Sequence, residues 1–312
     1  MIVHSLKGYI MFKTIIFSLL FSCTSMYATQ NFTLISSLEG IAFPIPFVEN
    51  NNTLEEQDLS FFAWDGIKTY ESAQSKIKNY HEIVIYLNPV DEDENKFVEN
   101  SEKLHEYNAR VWYLMSADPS LDYIQEQTDL IVDYNKEHDK KIIGMSFDIE
   151  PWTEFEDQNS SDNKEAWQDY LDFMSEAKDI LHDANLQISI SIPFWVDRIT
   201  EAFPNDRPIN YDVIDIADEV IIMTYTTYAD RIIPYTQTSL DYADTHFKSI
   251  KIALEMLDYN NDEVSFYTHP EDIKEILALP SLPSIFFSGY MIHTLDAFDE
   301  SGINIEYNST VD

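Results

Sequence analysis

One pattern recurs eight times between residues 59 and 292: a short run of β-branched and aromatic residues, followed by a longer polar segment. The runs are LSFFAW (59–64), EIVIYL (82–87), ARVWYLM (109–115), KIIGMSFDIE (141–150), LQISISIPF (186–194), EVIIMTY (219–225), IKIALEM (250–256) and SIFFSGYMI (284–292). Their composition is that of strands. Eight strands alternating with helices is the count of a (β/α)8 TIM barrel, and about 250 residues is its usual size. A doubly wound open sheet is the alternative that the count alone leaves open.

The segments between the runs read as helices. Residues 163–184 put Trp167, Tyr170, Leu171, Met174, Ala177, Leu181 and Ala184 on one face at helical spacing. Asp162 and Glu165 form a capping-box-like start. Residues 118–136 offer Asp118 as N-cap and Pro119 at the first helical position. The segments after the fifth and sixth runs are more irregular. Residues 29–58, with Pro44, Pro46 and an Asn/Glu-rich stretch, read as a lead-in with one short strand. Residues 59–312 are then a single barrel domain.

Residues 1–28 read as an export signal. Lys13 precedes TIIFSLLFSC, an apolar stretch too short to span a bilayer, and Ala28 is a small residue at a cleavage position. Met11 is an alternative start. The only cysteine, Cys23, lies inside this leader. LFSC is loosely like a lipoprotein box, with Phe21 a poor fit, so a lipid anchor at Cys23 is the alternative to cleavage. Once the leader is removed, the chain has no thiol for a disulfide, a nucleophile or a metal. No later segment is long and apolar enough to span a membrane. The expected location is secreted or periplasmic, or lipoprotein if Cys23 is acylated.

Charge narrows the partners. Lys and Arg total 19 against 56 Asp and Glu, a formal charge of −37. Such a field repels nucleic acid and anionic membranes and suits neutral or cationic ligands. A solvated, saline-adapted surface is the plain reading of it. Only six glycines occur, with no dinucleotide or phosphate-loop pattern. The eight histidines form no H-x-x-x-H or H-x-H pair, and His182 and His246 fall in helical stretches as surface residues. The acidic stretch 91–95 lacks EF-hand spacing and reads as a solvated loop. There is no G-x-S-x-G elbow. No cofactor or metal is expected.

The fourth run raises a sharper question, because Asp148 and Glu150 end a strand that otherwise reads as core. Side chains alternate along a strand. Gly144, Ser146, Asp148 and Glu150 therefore share one face, and Ile143, Met145, Phe147 and Ile149 the other. In a barrel the apolar face meets the helices. The acids then point inward at the C-terminal mouth, where barrel active sites are built. The plain alternative is that they pair with an inward Lys or Arg, and basic residues are few.

These residues resemble a known family. Asp148-Ile149-Glu150 on the fourth strand is similar to the D-x-E of glycoside hydrolase family 18, the chitinase-like barrels. Met223 and Tyr225 on the sixth strand resemble that family's Met-x-Tyr. The resemblance implies Glu150 as general acid, Asp148 orienting the substrate acetamido group and tuning Glu150, and Tyr225 contacting the acetamido carbonyl. The sequence departs from the family at Ile143 and Ser146, where earlier acids are usual, and at Thr226, where Asp is usual. The eighth strand lacks the expected Trp, for which Tyr290 or His293 stand in.

Large retaining glycosidase barrels give a second resemblance. Glu150-Pro151 is similar to their acid/base position, and Glu255, above the small Ala253, to their nucleophile; Ile149 stands where they carry Asn. Both resemblances make Glu150 the proton donor. They differ in whether the substrate amide or Glu255 is the nucleophile. Glycoside cleavage needs a carboxyl of raised pKa on the leaving oxygen, and burial plus the charge of Asp148 would raise Glu150. Trp64, Trp152, Trp195, Tyr225 and Tyr290 are candidate sugar platforms, with Trp195 preferred because Ser189, Ser191, Pro193 and Trp195 alternate onto one face. The expected function is an exported glycoside hydrolase-like barrel acting on an extracytoplasmic polysaccharide, amino sugars included. The alternatives are a catalytically silent carbohydrate-binding barrel and a structural protein of the cell envelope.

Overall fold

The computed structural model describes residues 58–89, 94–116, 119–279 and 284–307. The leader with Cys23 and Ala28, the lead-in up to residue 57, and Asp118 lie outside the described residues.

The strands are β1 (Asp58–Ala63), β2 (Ile77–Lys78), β3 (Ile83–Leu87), β4 (Arg110–Ser116), β5 (Ile142–Asp148), β6 (Gln187–Pro193), β7 (Glu219–Met223), β8 (Ser249–Glu255), β9 (Phe287–His293) and β10 (Ile305–Glu306). Eight of them, all parallel, close into a barrel in the order β1-β3-β4-β5-β6-β7-β8-β9. The open-sheet alternative is thereby excluded: β1 pairs with both β3 and β9. Each barrel strand matches one of the eight runs. Asp58, read as the end of the lead-in, is the first residue of β1. The two-residue strands β2 and β10 form a separate small parallel sheet that no run announced. Two residues are too few to carry a period.

Among the described residues, eight α-helices flank the strands. They are α1 (Tyr70–Ser75), α2 (Glu94–Glu106), α3 (Leu121–Glu137), α4 (Lys164–Asp183), α5 (Ile209–Ile216), α6 (Ala229–His246), α7 (Ile273–Leu277) and α8 (Leu295–Ser301). In α4 the expected face is buried from Trp167 through Leu181. Each of its larger apolar side chains contributes about 1.5–3 kcal/mol by leaving water.

The caps differ from the expected ones. Ser160 Oγ accepts from Asp162 N at 3.2 Å and opens a 3-10 turn that leads into α4, so the Asp162/Glu165 box does not form. Helix α3 starts at Leu121, and Ser120 Oγ caps it by accepting from Tyr123 N at 3.2 Å. A serine hydroxyl at that position serves as well as a carboxylate. Glu94 and Asn95, read as loop, open α2. The segment after the sixth run is regular: α6 is an 18-residue helix with Pro234 inside it.

Alternation sorts each strand into two faces. Outward side chains such as Phe61, Ile85, Phe147, Ile190 and Ile252 are fully buried under the helices. Inside, the lower layer is polar. Glu219 opens β7 and accepts from the Tyr86 hydroxyl, and from Ser189 Oγ and Ser249 Oγ at 3.3 Å each. Lys251 Nζ lies 3.8 Å from Glu219. This buried lysine thus meets an acid at the N-terminal end, and leaves the acids at the mouth to one another. Tyr86 stacks on Trp112 above it. Gly144 lets β5 and β6 approach: a Cβ there would sit 1.9 Å from the Gln187 carbonyl oxygen.

Candidate active site

The alternation that puts Asp148 inside is local. Strand β5 ends at Asp148, with Ser146 two residues below it on the same face. Register pairs Ser116 of β4 with Asp148, and Phe147 with Ile190 of β6, which brings Ser191 alongside. Ile149 is buried, as its helix-side position requires. Glu150 is beyond the strand, so alternation alone does not fix it. It precedes a 3-10 turn, Pro151–Glu154, in which Pro151 occupies the first turn. That turn brings the Trp152 indole back, and its Nε1–H donates to Glu150 Oε2 at 3.1 Å.

Trp152 is itself buried, against Trp167 and Tyr170 of α4 and edge-on to Trp195. It therefore positions Glu150 and offers no open face to a sugar. Trp195 remains partly exposed. It is brought there by a 3-10 turn, Phe194–Asp197, because strand alternation stops at Pro193.

The two acids differ electrostatically. Burial pushes the Asp148 carboxyl up to about 7, with the charge of Glu150 as the next cause. Glu150 is also raised, chiefly by burial, while the Trp152 hydrogen bond opposes the rise. The larger effect of confinement thus falls on Asp148. Its Oδ1 and the Ser191 hydroxyl are buried without a hydrogen bond of ordinary geometry, though Ser191 is near enough to ease the shift.

Across the mouth stands a second group. Glu255 ends β8, fully buried. Its Oε1 accepts from the backbone N–H of Met256 at 2.8 Å and Leu257 at 2.7 Å. Its Oε2 lies 2.7 Å from His293 Nδ1. Trp64 Nε1 lies 2.8 Å from His293 Nε2. An indole N–H can only donate, so Nε2 is the acceptor and Nδ1 carries the proton toward Glu255.

Tyr225 follows β7, its ring parallel to His293 with centroids 6.1 Å apart. Its phenol is raised well above the usual value by burial, then by the charges of Glu255, Asp148 and Glu150. Asp148, Glu150, Tyr225, Glu255, His293 and Trp64 therefore converge. Met223 is buried one layer below. Tyr290 is not part of this group. It pairs with Leu59 and Ile252 on the helix face of β9, fully buried against Phe287. An odd number of steps along the strand separates it from the inward His293, so the two face opposite ways.

Sequence reasoning missed Tyr259, in the loop after β8, whose phenol feels Glu255, Glu150 and Asp148. Its place four residues after Glu255 in one mouth loop was the available signal. At the opposite end of the barrel, ligand atoms of Asp58, His81 and Glu82 lie within 4.8 Å of one another. Arg110 holds Glu82 at 2.9 Å there.

No family model matches the sequence, and no curated protein matches it. Among solved structures, the chain is similar to a GH18 chitinase from Pseudoalteromonas aurantia (13% identity, 79% of this chain and 99% of that one, TM-score 0.45). It is similar to the spore cortex-lytic enzyme SleL of Bacillus megaterium (13% identity, 82% and 76%, TM-score 0.44). It is also similar to the PgaB (BpsB) glycoside hydrolase domain from Bordetella bronchiseptica (9% identity, 79% and 95%, TM-score 0.46).

Proposed function

We propose that this barrel is a retaining glycoside hydrolase acting on an amino-sugar polysaccharide, with Glu150 as general acid. One observation carries the reading: two carboxyls at the barrel mouth, both raised by burial, one of them tethered by an indole N–H. Glycoside cleavage needs a protonated carboxyl on the leaving oxygen and a stabilised oxocarbenium-like centre. Glu150, partly exposed and raised, suits the first need. As it gives its proton to the leaving oxygen it becomes a carboxylate, which the Trp152 N–H favours. The same group then takes a proton from water in the second half of the reaction.

The nucleophile in this reading is the substrate's own acetamido oxygen. Asp148, protonated near neutrality, orients the amide from one side, and the Tyr225 hydroxyl donates to its carbonyl. The bonding of Glu255 supports this choice. A carboxylate that already accepts three N–H groups and has no exposed surface is a poor attacking group. Its role is to hold His293, and through it Trp64, at the wall of the mouth.

The test uses N-acetylglucosamine oligomers and their deacetylated counterparts. Glu150→Gln should lose roughly 10²-fold or more in turnover with folding intact. Asp148→Asn should be nearly as damaging, and oligomers lacking the acetyl group should not be cut. Turnover of deacetylated oligomers, together with abolition by Glu255→Ala and rescue by azide, would move the nucleophile to Glu255. A wild-type protein that binds but never cleaves would be the silent carbohydrate-binding barrel. The leader also belongs to this proposal: cleavage near Ala28, or acylation at Cys23, delivers the domain to an extracytoplasmic substrate. N-terminal sequencing of the exported protein decides between them, and a retained leader on a cytosolic protein rejects both. Among the described residues no helix is long and apolar enough to cross a membrane.

A further inference from the structure

Six large apolar or aromatic side chains are notably exposed among the described residues: Tyr228, Ile233, Phe247, Tyr259, Tyr267 and Ile285. Phe247 and Ile285 precede β8 and β9, at the end of the barrel away from the acids. Tyr228, Tyr259 and Tyr267 lie in the loops after β7 and β8, at the mouth. The two loops are tied together. Thr227 N donates to the Glu263 carbonyl at 3.0 Å, and Thr227 Oγ1 to the Asp262 carbonyl at 2.8 Å.

The three tyrosines are not equivalent. The Arg231 guanidinium lies over the Tyr228 ring, 3.9 Å from its centroid, and covers one face. Tyr267 borders a separate cavity with Pro270, Ala297 and Glu300. Tyr259 is different. Among the described residues no ring or guanidinium covers it, and it is 53% exposed. Yet burial, then the charges of Glu255 and Glu150, push its phenol up to about 12. The hydroxyl end is thus set among the mouth acids while the ring faces solvent.

The turn that carries it is well held. Leu257 N is bound to Glu255 Oε1, Ser265 Oγ donates to the Leu257 carbonyl, and Asn260 N donates to Asp258 Oδ1 at 2.9 Å. An aromatic side chain anchored at its polar end and open on its face offers a rigid apolar plane at low entropic cost. The apolar faces of pyranose rings are the matching surface.

We infer that Tyr259 forms a stacking subsite beside the acid pair, for a pyranose ring of an uncharged or cationic glycan, an assignment that rests on the carbohydrate reading above. Charge selects the class of sugar. The loop carries Asp258, Asp262 and Glu263 next to the mouth acids, so a uronate-containing chain is repelled.

The experiment measures affinity in the full-length chain carrying Glu150→Gln, with chitopentaose, chitosan pentamer and oligogalacturonate as probes, and steady-state kinetics in the Glu150 form. Tyr259→Ala should weaken binding of chitopentaose or chitosan pentamer by roughly 10-fold, the scale of one aromatic stacking contact. It should raise KM more than it lowers kcat. Tyr259→Phe and Tyr259→Trp should keep the affinity, since both retain the plane; a role confined to the hydroxyl beside Glu255 would be lost in both. Oligogalacturonate should not bind. If the wild type cleaves and Tyr259→Ala leaves both KM and affinity unchanged, the subsite is wrong and the hydrolase reading stands. If the wild type binds without cleaving and Tyr259→Ala weakens binding, the subsite stands and the hydrolase reading falls. Binding of none of the probes overturns both, and tight oligogalacturonate binding overturns the charge selection.

Discussion

Of the acid pair Asp148 and Glu150, Asp148 is the one that burial pushes further from its usual range. Its proton has a thermodynamic consequence independent of catalysis. In the unfolded chain an Asp titrates near 3.9; in the folded barrel burial carries it to about 7. Between those values the folded state binds more protons than the unfolded one. Stability contributed by this group therefore falls as pH rises from about 4 to about 7. The loss is on the order of 4 kcal/mol, from about 1.4 kcal/mol per pKa unit. Asp148→Asn removes the titration. Urea melts should show the variant gaining on the wild type as pH goes from 4.5 to 8. A constant difference between the two proteins across that range would mean that Asp148 is not held protonated. Glu150, the acid in the proton donor's position, is the less perturbed of the two, and that division was not legible from D-x-E alone. It depends first on how deeply each carboxyl is buried, and then on the Trp152 N–H, which reaches back to Glu150 from a turn that strand periodicity does not describe.

At the scale of elements, the eight barrel strands were legible because each is a buried run of five to seven residues with its own composition. The inward set on β5 was legible for the same reason: Gly144, Ser146 and Asp148 are small or polar where Met145 and Phe147 are large and apolar. Legibility stopped where periodicity stopped. Glu150 and Trp195 lie past their strand ends, and Tyr290 is out of phase with the inward His293. The caps of α3 and of the 3-10 turn that leads into α4 went to serines that offered less conspicuous signals than the acids nearby. Gly144 gives the strand reading a test. A Cβ there meets backbone atoms of Gln187, which cannot swing aside as a side chain would. Gly144→Ala should cost about 3 kcal/mol, the upper end of the usual overpacking range. Gly302 is the control: it also lacks a side chain, at φ +70, but nothing lies within 4 Å of its Cβ position. Gly302→Ala should cost only about 1 kcal/mol, for the left-handed backbone. Equal losses in equilibrium urea unfolding would mean that β5 and β6 do not approach as closely as the register requires.

For the whole molecule the dominant fact is the charge of −37. Several of the described basic groups are engaged in local pairs, such as Arg207 with Asp212 and Asp215, Lys76 with Asp299 and Arg110 with Glu82. What remains is a surplus of carboxylates that repel one another in the compact state and less so in the expanded one. Salt should relieve this. At about 0.01 M the screening length is about 30 Å, comparable to a barrel; at about 1 M it is about 3 Å. Surface ion pairs weaken over the same range, but each contributes at most about 1 kcal/mol, and the unpaired acids far outnumber them. The melting temperature should therefore rise by several degrees between about 0.01 M and 1 M NaCl at pH 7.5. Most of the rise should occur below about 0.2 M, where screening changes fastest on the scale of neighbouring carboxylates. It should shrink at pH 4.5, where protonation has already removed part of the repulsion. A melting temperature that falls with salt would mean that paired charges, and not the surplus, set the electrostatics of this fold. A rise of equal size at both pH values would point to general salting-out of apolar surface as its cause.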